Sequence, residues 1–181
     1  MNIRNLFNKN HELKQQLEQL RPRLYRLAFS WCQDHALADD LAQDTMIKAL
    51  KNYQQLKDPK KLDSWAFSIL HNCYRDYFRR NKNMEDIDNH EFEAEQQPET
   101  DYENYSITDA VRKAVKDLPA NQCQIITLID LEGFSYTEVA QILDVPMGTV
   151  MSRLCRARKT LARKLLHYSE ETQAVNIRRI K

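Results

Sequence analysis

Glycine is almost missing from this chain, at 2 of 181 residues. Tight hairpins and phosphate-cradling loops draw on glycine for positive φ, so its scarcity argues against P-loop and dinucleotide-fold chemistry and favours helices joined by short polar connections. Long apolar runs are missing as well. Stretches such as Ile125-Ile126 fall far short of the roughly 20 residues that cross a bilayer, and Met1-Asn2-Ile3-Arg4-Asn5 has no apolar core behind its charge, as a secretory leader would. A cytoplasmic protein is expected. The four cysteines, Cys32, Cys73, Cys123 and Cys155, form no Cys-x-x-Cys pair. They read as reduced thiols serving as small hydrophobes, with oxidant sensing as the alternative role. Catalytic constellations are also lacking. His11, His35, His71, His90 and His167 are dispersed, and Asp39, Asp40 and Asp44 lack the His or further carboxylates of a metal-dependent nuclease. No enzyme activity, cofactor or metal is expected.

What is present is charge, in blocks. The net charge of +1 hides 15 Lys/Arg against 9 Asp/Glu in residues 1–82, then no Lys or Arg and 9 Asp/Glu in 83–105, then 12 Lys/Arg against 8 Asp/Glu in 106–181. The middle block has no sustained apolar periodicity to offset its ordering entropy, so it reads as a flexible linker. The expected organisation is all-α: a helical domain over 1–82, an acidic linker over 83–105, a second helical domain over 106–168 and a tail over 169–181. Two basic modules on an acidic tether suit a polyanionic ligand, most simply nucleic acid, although two ordinary surfaces with a solvated spacer would have the same composition.

The second module carries the sharper pattern. Ile107, Ala110, Val111, Ala114, Val115 and Leu118 share one helical face, with Ser106 and Asp109 as an N-terminal cap pair. Pro119 opens a second helix that runs through Ile125, Ile126 and Ile129 and stops at Gly133. Ser135-Tyr136-Thr137-Glu138 has the form of a capping box opening a third helix, with Val139, Ala140 and Leu143 on its apolar face. After a turn over Asp144-Val145-Pro146, a fourth helix from about Gly148 turns Val150, Leu154, Leu161 and Leu165 inward. Arg153, Arg156, Arg158, Lys159, Arg163 and Lys164 fill the remainder, and no acid occurs between Asp144 and Glu170. A short helix, a tight turn and a longer basic helix is a helix-turn-helix, whose second helix presents its N-terminal residues to base edges in the major groove. Thr149, Met151, Ser152 and Arg153 hold those positions, and the later cations suit phosphates, which position without specifying sequence. A basic amphipathic helix facing solvent is the bland alternative.

Gly133-Phe134-Ser135-Tyr136-Thr137-Glu138-Val139-Ala140, followed by Pro146-Met147-Gly148-Thr149-Val150-Met151-Ser152-Arg153-Leu154-Cys155-Arg156-Ala157-Arg158, resembles the fourth conserved region of bacterial sigma factors, and in particular the small extracytoplasmic-function (ECF) subfamily. The resemblance implies binding to the minus-thirty-five promoter element through Ser135, Tyr136, Thr149, Met151, Ser152, Arg153, Arg156, Arg158 and Lys159, and contact with the polymerase flap. Met151 stands where that family commonly has a cation, and Cys155 where a larger side chain is frequent.

In the first module, Leu17, Leu20, Leu24, Leu27 and Ala28 mark one amphipathic helix reaching about Trp31, and Leu41, Thr45, Ala49 and Leu50 a second from about His35. Asp39, Asp40 and Asp44 read as acids near the start of that helix, where its dipole favours them. The order Ala38-Asp39-Asp40-Leu41-Ala42-Gln43-Asp44-Thr45 also resembles the sigma segment that docks on the clamp helices of the polymerase largest subunit, which implies Asp40, Gln43 and Asp44 as contacts. After a loop punctuated by Pro59, Asp63 or Ser64 caps a long helix to about Lys82. Ala66, Ile69, Leu70, Cys73 and Tyr77 suit its core stripe. Ser68, His71, Asn72, Arg75, Asp76, Arg79 and Arg80 line its polar side beside Phe67, Tyr74 and Phe78. Aromatics interleaved with cations suit single-stranded nucleic acid, and equally suit a core.

Trp65-Ala66-Phe67-Ser68-Ile69-Leu70-His71-Asn72-Cys73-Tyr74-Arg75-Asp76-Tyr77-Phe78-Arg79-Arg80 resembles the sigma segment that melts and reads the minus-ten element. The likeness implies Trp65, Asn72, Arg75, Asp76, Arg79 and Arg80 as contacts to that DNA. It also implies a base captured by the loop from about Tyr53 to Leu62, the unstacking cost being offset in the pocket. It implies core RNA polymerase and promoter DNA as partners, and an anti-sigma factor as restraint. An autonomous helix-turn-helix regulator, binding duplex DNA as a dimer, is the alternative.

Overall fold

The computed structural model describes residues 3–85 and 107–179, all helices and short connections, with no strand among them. The cap pair Ser106/Asp109 and the linker beyond Glu85 lie outside the described residues or side chains. None of the described helices is long and apolar enough to cross a membrane.

Helix α1 (Ile3–Cys32) begins well before the stripe predicted from Leu17, and it holds Pro22 in its interior. Pro22 is exposed, so water can satisfy the carbonyl that its missing N–H leaves open. Gln33 at φ 58° turns the chain, and Asp34 caps α2 (His35–Asn52) by accepting from the Leu37 N–H. Asp39, Asp40 and Asp44 therefore lie beyond the first turn, and the helix-dipole account of them fails. Two 3₁₀ turns, Tyr53–Gln55 and Pro59–Lys61, lead into α3 (Leu62–Glu85). Neither Asp63 nor Ser64 caps α3: Asp58 accepts from the Lys60 N–H to start the preceding turn, and the Ser64 hydroxyl donates back to Lys61.

The second module comprises α4 (Ile107–Lys116), α5 (Ala120–Ile126) and a π turn (Thr127–Leu131), then α6 (Tyr136–Leu143) and α7 (Met147–Arg179). Pro119 stands one residue ahead of α5, as its N-cap. Gly133 at φ 76° ends the π turn, and both halves of the Ser135/Glu138 capping box are made. Asp144 takes the left-handed conformation at φ 53°, which an L residue with a short polar side chain tolerates better than most.

Within the modules, α1, α2 and α3 pack together and α5, α6 and α7 pack together; α3 also lies on α6, and α1 on α4, α5 and the π turn. One continuous hydrophobic core runs through both. This changes the reading of α3, which is buried on two sides. Phe67 is fully buried with its ring 5.0 Å from Phe134, and His71 is buried among Trp31 and the α6 end, although both were placed on the polar side. Conversely Tyr77 (36% exposed) and Leu50 (39%), expected in the core, lie at the surface. All four cysteines are free thiols; Cys73 and Cys123 are buried, but Cys155 is exposed and so is no small core hydrophobe.

Candidate nucleic-acid interface

The helix-turn-helix is positioned by local chemistry. Ser135 Oγ accepts from the Glu138 N–H and donates to the Glu138 carboxylate at 2.7 Å, and that carboxylate also accepts from the Ser135 N–H. These bonds hold the Glu138 carboxyl below its ordinary range. Val139, Ile142 and Leu143 fasten α6 to Val150, Leu154 and Ala157 of α7. The start of α7 then projects outward, with Met147 and Met151 half in solvent and Ser152, Arg156, Arg158 and Lys159 exposed, whereas Thr149 and Arg153 are partly covered. Tyr136, at 38% exposure, flanks this face.

Several of the nine side chains predicted to reach the minus-thirty-five element have prior engagements: the Ser152 hydroxyl donates to the Thr149 carbonyl at 3.1 Å and Arg156 Nε to the Ser152 carbonyl at 3.3 Å, and two more are held by side-chain partners. Ser135 is committed to its cap. Arg158 forks onto Asp130 of the π turn, at 3.1 Å and 2.5 Å, and that pairing raises its pKa. Sequence gave no signal for Asp130, because the pairing spans 28 residues.

The first module presents two surfaces. On α2, Asp40, Gln43 and Asp44 are exposed together. Their neighbour Asp39 is occupied, accepting from Arg21 at 2.6 Å and from the Gln43 amide at 2.8 Å. Asp40 and Asp44 carry no ion pair among the described residues and line a cleft of about 420 Å³ with Lys48, Cys73, Tyr77 and Arg80. Lys48 Nζ sits 3.2 Å from Cys73 Sγ, at the floor of that cleft. Sequence reading missed Lys48 and Tyr77 here, since only packing reveals that α2 and α3 share a groove.

Along α3, Asn72, Arg75, Arg79 and Arg80 are exposed, and Asp76 pairs with Arg79 at 3.2 Å. Tyr74 and Phe78 pack with their rings tilted by 47° at 4.6 Å, and Tyr74 also meets Trp31 edge-on at 5.5 Å. Tyr74 is a core residue at one end, donating to the Trp31 carbonyl, and burial pushes its hydroxyl up to about 12. Phe78, 43% exposed, is free to stack on a base. Trp65 stands apart from this row, half-buried in a cleft of about 360 Å³ formed by the 55–61 loop, Ser64 and Ser68, with Gln141 and Ile142 of α6 as the far wall. Lys57, Lys61 and Ser64 join it there; the two lysines were covered only by the loop as a whole, and Ser64 was read only as a helix cap.

Comparison with known proteins resolves which kind of helix-turn-helix protein carries these surfaces. The Sigma-70 region 2 model matches residues 17–84, and the Sigma-70 region 4 model matches residues 108–161. The ECF RNA polymerase sigma factor EcfG of Rhodopseudomonas palustris is 33% identical over 147 residues, covering 78% of each chain. The chain belongs to the ECF sigma factors. A second relative of this sigma factor, RNA polymerase sigma factor SigV of Bacillus subtilis, is 31% identical over 137 residues, covering 76% of the chain and 81% of the relative. Among solved structures, the sigma factor RpoE of Bartonella quintana, crystallised with the anti-sigma factor NepR, matches with a TM-score of 0.74 at 30% identity over 85% of this chain and 96% of that one. CnrH, solved with the cytosolic domain of CnrY, shares the fold with a TM-score of 0.59 at 24% identity, over 84% of this chain and 86% of that one. The sigma factor thus carries both family regions in order on one chain, and the autonomous-regulator reading is not favoured.

Proposed function

We propose that this ECF sigma factor directs core RNA polymerase to promoters through three surfaces: Asp40, Gln43 and Asp44 dock on the polymerase, the 53–62 loop with α3 reads and opens the minus-ten element, and the start of α7 reads the minus-thirty-five element. The division at 1–82, 83–105, 106–168 and 169–181 follows from these roles. RNA synthesis itself belongs to the polymerase, so the chain acts as a specificity subunit without chemistry of its own, in the cytoplasm where polymerase and promoter meet. The observation that carries the docking role is the exposed carboxylate pair of α2. Asp39 is neutralised by Arg21, while Asp40 and Asp44 remain available to basic groups on a partner. The exposed Tyr77 and Phe78, beside Arg79 and Arg80, supply rings and cations for a melted strand. An anti-sigma factor is the expected restraint, by analogy with the Bartonella relative.

The test is co-migration of the purified chain with sigma-free core polymerase on size exclusion, beside the Asp40→Ala/Gln43→Ala/Asp44→Ala variant. Binding by the native chain that is lost in the variant supports the reading. A native chain that ignores core and instead dimerises on duplex DNA overturns it.

A further inference from the structure

We infer that the sigma factor reads its minus-thirty-five element through thymine C5-methyl groups, with Met151 as the residue that sets this preference and Met147 and Cys155 extending the contact. The inference rests on the reading of α7 given above and deepens it, by naming the chemical class of base edge that this helix takes.

Met147, Met151 and Cys155 stand four residues apart on α7, and side chains at that interval share one face of a helix. All three are exposed, the two methionines at 51% each. Val150, Leu154 and Ala157 are buried on the inner side of the same helix. The outer face therefore carries a stripe of sulfur-bearing, weakly polar side chains about 12 Å long at 1.5 Å per residue. That length matches about three and a half base-pair steps of 3.4 Å. A single surface methionine needs no explanation, whereas an aligned apolar row does.

The stripe lies where base edges are met. It begins at the first residue of α7, and this end of the second helix is the one that a helix-turn-helix presents to the major groove. Its border is basic. Arg156, Lys159 and Arg163 are exposed, and no acid occurs between Asp144 and Glu170, so a polyanion is drawn to this face.

The hydrogen-bonding groups beside the stripe are already engaged or covered. Ser152 gives its hydroxyl proton to the Thr149 carbonyl, Arg156 turns its Nε onto the Ser152 carbonyl, Arg158 is forked onto Asp130, and Arg153 is partly covered. What faces outward along the stripe is thioether and thiol. In the major groove guanine and adenine show acceptors, adenine and cytosine show amino donors, and only thymine adds a methyl group. A methionine laid over guanine strips water from O6 and N7 and returns no donor. Over thymine it buries the methyl against a flexible, polarisable side chain. The stripe thus favours T·A pairs, with the thymine on either strand, and disfavours guanine under Met151.

The test uses the full chain loaded on core polymerase and duplex DNA randomised across both promoter elements. Sequences retained by the native holoenzyme should carry thymine within the minus-thirty-five element. Each such thymine is then replaced by uracil, which deletes the methyl and leaves the pairing and O4 intact. At one position or more the native holoenzyme should bind the uracil duplex about fourfold more weakly, the worth of one buried carbon. Met151→Ala should abolish that difference at the same position, and Met151→Arg should exchange the thymine for guanine with a preference of about tenfold or more. The readout is a ratio of affinities for two duplexes that differ by one methyl group, so a merely weakened fold leaves it unmoved. A native holoenzyme indifferent to uracil throughout the element overturns the inference, leaves the reading of α7 intact and assigns the stripe to a protein partner instead. Methyl sensitivity that survives Met151→Ala overturns it equally. If no minus-thirty-five sequence is retained at all, the reading of α7 falls and this inference with it.

Discussion

The Trp31 indole N–H is held by the Thr127 hydroxyl at 3.0 Å, across 96 residues of sequence and between the two modules. Thr127 in turn donates to the Cys123 carbonyl at 2.7 Å. It is fully buried at the first position of a π turn, a wide turn that often marks a functional position.

Thr127→Val keeps the shape and removes the acceptor, leaving a buried indole donor without a partner. The expected loss is about 1–3 kcal/mol of unfolding free energy, read by urea denaturation. A Val variant as stable as native would mean that water reaches the indole.

His71 gives the acid response a direction. Its side chain is buried, its Nδ1 lacks a partner, and burial followed by the charge of Arg75 holds its pKa below the ordinary 6.5, opposed by Asp144 on the facing turn. The unfolded chain therefore takes up this proton at higher pH than the folded chain. Stability should be full above about 6.5 and fall as pH drops toward the depressed folded value. His71→Gln should flatten that slope below about pH 6.5 in denaturation series. Glu138, also depressed, acts in a lower window, giving stability above the ordinary carboxylate range that is lost on further acidification.

Asp144 tests the helix-turn-helix turn. At φ 53° it sits where a Cβ is disfavoured. Asp144→Ala should cost about 1 kcal/mol by losing the polar side chain that makes this conformation tolerable. Asp144→Gly should stay within a few tenths of a kcal/mol of native, as relief of strain offsets the added freedom of the unfolded chain. Paired thermal melts decide it, and equal losses in both variants would point to a role for the carboxylate itself.

Phe67 and Phe78 belong to the same aromatic row of α3 but should separate by assay. Phe67 is fully buried, and Phe67→Ala should destabilise by about 3–5 kcal/mol. Phe78 is 43% exposed, so Phe78→Ala should change stability by less than about 1 kcal/mol while slowing promoter opening, measured by permanganate reactivity of the melted strand.

The legible parts of this protein were the local ones. The Ser135/Glu138 box, the stop at Gly133 and the inward stripe of Val150 and Leu154 are set by contacts within a turn or two, which periodicity and capping rules read well. The trio Asp40, Gln43 and Asp44, singled out by the sigma resemblance and not by spacing, is exposed on α2. Long-range pairings were not legible. Nothing in the sequence around Arg23 announces its ion pair with Glu132 at 2.8 Å, and α3 was read as one-sided because its second burial face depends on α6, some 70 residues away. For the same reason Phe67 and His71 were assigned to a polar face they do not occupy.

The fork between Arg158 and Asp130 bears on how ionic strength will govern promoter affinity. Each arginine that meets a phosphate displaces condensed counterions, and the slope of affinity against salt counts those displaced. Arg158 arrives with its charge already balanced by a carboxylate of its own module. A contact to DNA would exchange one anion for another and leave Asp130 exposed near the backbone. Asp130→Asn should therefore steepen the salt slope by up to about one ion, which makes this acid of the π turn a brake on sequence-independent adhesion by the basic helix it faces.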